Sequence, residues 1–410
     1  MTRTLLAAMI IASLAACAQD EAPASSPAAD APEDAARATP EAAPAAAVEP
    51  AASGPHPVET FDSEHGQVRV TTLARGLEHP WGLAFLPDGR ALVTERAGRL
   101  RIMEADGSLG EPVGGVPEVV ARGQGGLLDV ALSPDFDTDG LVYLAYSEAG
   151  DGGSSTAVAR GRLDVDTLSG VEVVFRQTPK IESGHHFGAR LVFHDGYLFI
   201  TLGDRGQRIS SQELDSHMGA VIRIRPDGGV PQDNPFVGDD AALDEIYSYG
   251  HRNIQGAAVH PDTGALWTHE HGPRGGDEIN LPRAGANFGW PLVTHGINYS
   301  GEPIPEARGT EMDGMAPAAY VWEASPGVSG MAFYTAEAAP AWQGNLFVGA
   351  LAQTALIRLE LDGEEVVHEE RLLTGMSRRI RDVRQGPDGA LYLLTDRPDG
   401  EVLKVELLAD

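Results

Sequence analysis

The sequence predicts an all-β protein, a six-bladed β-propeller, and three observations predict it. One strand–turn–strand pattern occurs six times along the chain. No long segment keeps the 3.6-residue apolar period of a helix. Residues 61–410, the part with globular composition, are too many for a single hydrophobic core, so they divide into domains or repeats.

The first copy of the repeat spans residues 82–95, Gly-Leu-Ala-Phe-Leu-Pro-Asp-Gly-Arg-Ala-Leu-Val-Thr-Glu. The second is 128–135 followed by 141–146, the third 190–203, the fourth 256–268 and the sixth 382–396. The fifth is more diverged, 330–334 followed by 345–350. Each copy is an apolar strand, a Pro-Asp or Asp-Gly turn and a second strand, which is hairpin chemistry. A third strand often follows, as at 99–103 and 356–361. Four-stranded units repeated radially make a propeller. A sandwich pair does not explain the recurring turn, and a β-helix repeats at a shorter period. The strand at 67–73 has no blade of its own and is expected to complete the last one.

The N-terminus is read separately. Residues 1–16 form a signal peptide, with Arg3 ahead of an apolar run over 5–16. That run is shorter than the roughly 20 residues a spanning helix needs. It ends Leu14-Ala15-Ala16-Cys17, which resembles a bacterial lipobox, so Cys17 is expected to be lipidated. Cys17 is the one cysteine, which excludes an internal disulfide framework. Residues 17–60 are rich in Ala, Pro and acidic residues and read as a disordered tether. The expected location is periplasmic, lipid-anchored to a bacterial membrane, most naturally the outer one.

The formal net charge is −30. Nucleic acid is excluded as a partner, because phosphate binding needs a basic footprint. An anionic ligand needs a local arginine cluster to overcome this field.

Five segments look unlike scaffold: 123–127, 184–190, 250–253, 269–280 and 378–382. All lie before or between repeat strands, where propeller loops converge at one end of the channel. Their most specific pieces are Gln124-Gly-Gly-Leu-Leu, His186 four residues before Arg190, Leu202-Gly203-Asp204, Arg252-Asn253, Gly272-Pro273 with Asp277-Glu278-Ile279-Asn280, Asn287-Phe288-Gly289-Trp290-Pro291 and Arg379-x-Arg381-Asp382. In this order they resemble the soluble glucose and aldose-sugar dehydrogenases that use pyrroloquinoline quinone (PQQ), over roughly residues 66–408.

The resemblance implies oxidation of an aldose at its anomeric carbon to a lactone, with electrons passed to an external acceptor. It implies His186 as general base, Asp204 as the acid that orients it, and Arg252 as a stabiliser of negative charge on the cofactor. Gln124, Arg252, Asn253, Arg379 and Arg381 are the implied cofactor contacts. Arginine forks suit a tricarboxylate. A calcium ion is implied at the carbonyls of Gly272 and Pro273. A second, structural one is implied at Asp277, Glu278 and position 288. The family has Tyr where this chain has Phe288, so any ligand there is main-chain oxygen. His185 is read as a neighbour of the base, and His269 and His271 as loop histidines lining the channel. The family's cofactor-pairing Lys aligns with Ala352, one cation fewer. Two alternatives remain: a lactonase-type calcium hydrolase and a non-catalytic binding propeller.

Overall fold

The computed structural model describes residues 56–408, so the signal segment, Cys17 and most of the tether lie outside the described residues. The chain opens with β1 (Val58–Ser63) and β2 (Gly66–Leu77), an antiparallel pair. Six blades follow. The first is β3 (Pro80–Phe85), β4 (Ala91–Glu95), β5 (Arg99–Met103) and β6 (Leu109–Pro112). The second is β7 (Leu127–Leu132), β8 (Leu141–Gly150), β9 (Gly153–Asp164) and β10 (Thr167–Arg176). The third is β11 (Gly188–His194), β12 (Tyr197–Leu202), β13 (Val221–Ile224) and β14 (Ile246–Ser248). The fourth is β15 (Ile254–Val259), β16 (Leu266–Glu270), β17 (Asp277–Asn280) and β18 (Tyr320–Trp322). The fifth is β19 (Val328–Phe333), β20 (Leu346–Ala350), β21 (Leu356–Asp362) and β22 (Glu365–Leu372). The sixth is β23 (Ile380–Gln385), β24 (Leu391–Thr395) and β25 (Gly400–Leu407), and β2 pairs with β25 as its fourth strand.

That pairing closes the ring with strands from both ends of the chain, Val68 opposite Leu407 and Leu77 opposite Gly400. β1 adds a fifth strand outside β2. It starts at Val58, so the last residues assigned to the tether are strand, because a partner edge was waiting for them. Successive inner strands β3, β7, β11, β15, β19 and β23 pack against one another, and β23 returns to β3.

Local chemistry explains the hairpins. In the first blade Gly89 takes a left-handed φ of 89°, and Asp88 Oδ1 accepts the Arg90 amide at 3.1 Å. The sixth blade repeats this with Gly389 at 78° and Asp388 accepting from Ala390 at 3.2 Å. Both follow the turn preferences of Asp and Gly. The core is shared out between blades: Tyr143 and Val158 of the second pack with Ile200 and Ile222 of the third.

Each inner strand carries a β-bulge near its start. The register shifts fall between Pro80 and Leu83, Leu127 and Val130, Gly188 and Leu191, Ile254 and Gly256, Val328 and Met331, and Ile380 and Asp382. A bulge re-aims the side chains it contains. The bulged residues include Trp81, Asp129, Arg190, Gln255 and Arg381. Four of these are polar and buried. Arg190 lies between Asp129 at 3.1 Å and Asp382 at 2.9 Å, with its guanidinium 4.1 Å from the Trp81 ring centre. Arg384 completes the set through the same two carboxylates at 2.8 and 2.9 Å. Two arginines and two aspartates thus plug the channel. Gly330 lets the plug form, since a Cβ there would stand 2.4 Å from Asp382 Oδ1.

Candidate active site

Inner strands begin, and second strands end, on one face of the ring. Most candidate loops fall at one of these two places, so the propeller gathers them by topology; the segment 287–291 instead follows the third strand of its blade, β17. Gln124 precedes β7, His186 precedes β11, Arg252 and Asn253 precede β15, and Arg379 precedes β23. Asp204 follows β12, and Gly272 and Pro273 follow β16.

His186 and Asp204 form the centre. Nδ1 of His186 is 2.6 Å from Asp204 Oδ1. The base sits on a left-handed backbone, φ 54°, a conformation costly for a non-glycine residue. Three contacts hold it there. The His186 amide donates to Gln124 Oε1 at 2.8 Å. The preceding loop is tied by Arg205, which donates to Ser183 O at 2.6 Å and lies 3.4 Å from the Phe187 ring centre. Gly203 passes so close to His186 that a Cβ would fall 2.0 Å from its carbonyl oxygen.

Burial, and then the Arg252 guanidinium, push the His186 imidazole below the usual histidine value, against the pull of Asp204. Burial alone would raise the Asp204 carboxyl. His186, Arg252 and the Gly206 amide outweigh it and hold the group ionised. The result is a neutral base beside a fixed carboxylate. With Nδ1 bonded to Asp204, Nε2 is the nitrogen left to take a proton. His185 is exposed, with its ring centre 6.1 Å from that of His186, and stands outside this bonded set.

The fourth blade joins the dyad directly. The Asp204 amide donates to Arg252 O at 2.8 Å, and the Gly188 amide to Asn253 Oδ1 at 3.2 Å. Arg252 Nη1 donates to His271 O at 3.2 Å, which sets the Gly272-Pro273 turn beside Arg252. His269 is not a loop residue: it lies inside β16, fully buried, and burial pushes it down to about 3.

A second half of the site is cationic. Arg379 and Arg381 share Asp396, at 3.2 and 3.4 Å, and His79 Nδ1 meets its other oxygen at 2.8 Å. Burial would raise the Asp396 carboxyl, but Arg381, His79, Arg96 and Arg379 together hold it well below the carboxylate range. Burial brings Arg381 down to about 10, with Asp396 opposing. Among the described residues the buried Nε atoms of Arg96, Arg252 and Arg381 have no hydrogen-bond partner. Arg96 and Arg381 bring bare Nε donors to Asp396 and Arg252 brings one to the dyad, a donor set that fits a ligand with several carboxylates. Ala352 is exposed in the adjoining turn, and Arg379 Nη1 donates to Leu351 O there at 3.4 Å.

The two acidic candidates part company. Asp277 accepts the amides of Gly272, Gly327 and Val328 at 3.0, 2.8 and 3.1 Å, so its carboxylate shapes the Gly272-Pro273 turn. Glu278 turns elsewhere. Burial and nearby Glu270 push it up to about 8. Asn280 donates to both glutamates at 2.9 Å, while its own Oδ1 is buried without a donor among the described residues. The Phe288 ring is committed to His251, stacked at 4.6 Å. Glu270 is already engaged by His251 and by the Arg252 and Asn253 amides, so the Glu278 carboxylate and the Asn280 amide oxygen are the donors of a kind a hard cation prefers.

Sequence reasoning missed Arg96, Asp396 and Gln255, and it singled out Trp290 in a motif without giving it a role. A signal for the first two exists. Both stand just past the second strand of their blades, as Asp204 does in the third. No comparable signal marks Gln255.

The chain was compared with known proteins. The glucose/sorbosone dehydrogenase family matches residues 77–404. The aldose sugar dehydrogenase YliI of Escherichia coli is 52% identical over 343 residues, covering 82% of this chain and 92% of that one. The apo-form crystal structure of the soluble aldose sugar dehydrogenase of Escherichia coli superimposes with a TM-score of 0.82 at 51% identity, covering 83% and 100%. A PQQ-bound structure of the Streptomyces coelicolor aldose sugar dehydrogenase gives 0.69 at 30% identity, covering 86% and 98%. On these matches the chain belongs to the glucose/sorbosone dehydrogenase family of enzymes.

Proposed function

We propose that this chain oxidises aldose sugars at the anomeric carbon to lactones, with PQQ and calcium as cofactors and an external electron acceptor. One observation carries the reading: a buried His–Asp base beside arginines whose buried Nε donors, on Arg96, Arg252 and Arg381, have no partner among the described residues. Bound PQQ supplies the two-electron sink that takes the anomeric hydride. His186 accepts the anomeric hydroxyl proton at Nε2. Asp204 holds the imidazole by Nδ1 and stabilises the imidazolium as it forms. Arg252 offers its Nε to negative charge that develops during the reaction. Arg379, Arg381 and Gln124 would hold the cofactor's carboxylates, and Arg96 adds a further cation beside Asp396.

Calcium is proposed at two places. The carbonyls of Gly272 and Pro273 would hold one ion at the cofactor, where it supplies Lewis acidity. Glu278, with the main-chain oxygen of Phe288, would hold the other. The raised Glu278 carboxyl and the orphaned Asn280 Oδ1 support that site.

Family membership leaves the lactonase-type hydrolase without support, and the non-catalytic propeller rests on Ala352 alone. We also propose that Cys17 is lipidated and anchors the domain at a periplasmic membrane surface. Adding PQQ and Ca²⁺ to purified apoprotein in a dye-linked assay with a panel of aldoses tests the central reading. No aldose-dependent dye reduction would overturn it.

A further inference from the structure

We propose that Trp290 is a positioning residue of the base assembly, holding Asp204 by its indole N–H and packing its ring towards Arg252, and so sets the pH at which His186 can act. The role of His186 as base rests on the proposed function; the contacts of Trp290 do not.

Asp204 is fully buried, so each of its oxygens needs a donor. Oδ1 has two: His186 Nδ1 at 2.6 Å and the Gly206 amide at 2.7 Å. Oδ2 receives Trp290 Nε1 at 2.8 Å. The same indole lies 5.4 Å from the Arg252 guanidinium. Trp290 therefore touches the two groups that act on His186 with opposite sign. Arg252 pushes the imidazole's proton affinity down, and Asp204 pulls it up. The other ionisable neighbour acting on His186 is His185.

The indole is clamped from both sides. The Trp290 amide donates to Gly250 O at 2.9 Å. Its carbonyl accepts Ser211 Oγ at 2.5 Å and Gln212 Nε2 at 2.8 Å. Gln212 and Asn287 exchange side-chain bonds at 3.0 and 2.8 Å. The loop after β17 is thus locked onto the loop after β12, and a fourth-blade residue completes a third-blade dyad.

Choice of donor matters. A cation at Oδ2 would neutralise Asp204 and weaken its hold on the imidazolium. A neutral indole N–H orients the carboxylate and leaves its charge in place. It also tempers that charge, because a carboxylate with more donors is a weaker acceptor towards His186. Removing the N–H leaves Oδ2 buried and bare. Asp204 then binds the imidazolium more tightly, and His186 stays protonated to higher pH.

The test is Trp290→Phe, which keeps a ring and removes the donor. In labelled apoprotein, the His186 titration followed by NMR should move upward by about one pH unit. This needs no cofactor, so it is independent of the proposed function. In PQQ-loaded protein the acid limb of quinone reduction should move with it. In an Asp204→Asn background the Trp290→Phe shift should vanish. An unchanged His186 midpoint, or an equal shift in the Asp204→Asn background, would overturn the proposal. If Trp290→Phe does not fold, indole NMR still decides: the Trp290 Nε1 proton should move upfield in Asp204→Asn, and an unmoved signal refutes the contact.

Discussion

Arg381 Nη1 donates to Gln255 Oε1 at 3.1 Å, joining the sixth inner strand to the fourth across the channel. Gln255 Nε2 in turn donates to Asn253 Oδ1 at 3.1 Å. Through this pair the arginine cluster and the base assembly share one rigid floor. Both residues sit in inner-strand bulges, which is why they face the channel and not a neighbouring blade.

Arg381→Ala should therefore weaken PQQ binding far more than folding. A charge-assisted hydrogen bond is worth roughly 1.5–3 kcal/mol, or about 10- to 150-fold in affinity. Equilibrium titration of apoprotein with PQQ measures it. An unchanged affinity removes Arg381 from the cofactor site.

His186→Ala should still bind PQQ and calcium but fail to reduce the quinone with aldose. Loss of a general base costs about 10²–10⁴-fold. Asp204→Asn should cost less, because the imidazole remains and is only mis-held. Stopped-flow quinone reduction compares the three proteins. A wild-type rate in His186→Ala would shift attention to His185.

Exhaustive chelation should lower both activity and melting temperature. Glu278→Gln should lower calcium affinity at the second site by at least about 10-fold while sparing the first. Calorimetric calcium titration distinguishes the two sites. No calcium in metal analysis, with an unmoved melting temperature, would remove calcium from the reading.

His269 predicts an acid limit to stability. The folded chain holds it neutral down to about 3, whereas an unfolded histidine takes its proton near 6.5. Between those values the unfolded chain binds the extra proton, so stability is full above 6.5 and falls as pH falls. The slope from one such group approaches about 1.4 kcal/mol per pH unit. His269→Leu should flatten that part of the melting curve against pH. Curves that fall in parallel would assign the acid loss to other groups.

The mature N-terminus should be an acylated Cys17, read by mass spectrometry of membrane-extracted protein. A mature chain beginning at an unmodified Ala18 or later would refute the anchor.

Residue type and spacing were enough for the blades and for half of the site. A Pro-Asp-Gly turn between two apolar strands is encoded within about ten residues, and its chemistry acts locally. The loops around His186, Arg252 and Arg381 stood out because polar residues interrupted that repeat. The strand at 67–73 declared itself by having no blade, and β2 does close the ring.

Partnership across blades was decided only by closure of the ring. Trp290 meets Asp204 from 86 residues away, and Arg381 meets Gln255 from 126. Nothing local marks either contact, because any buried polar residue can be satisfied by many partners until the bulges and blade order choose one. The separation of Asp277 from Glu278 has the same origin. Adjacent residues of a strand point to opposite faces, so neighbours in sequence serve different sites. One shapes the Gly272-Pro273 turn, and the other lies against Glu270.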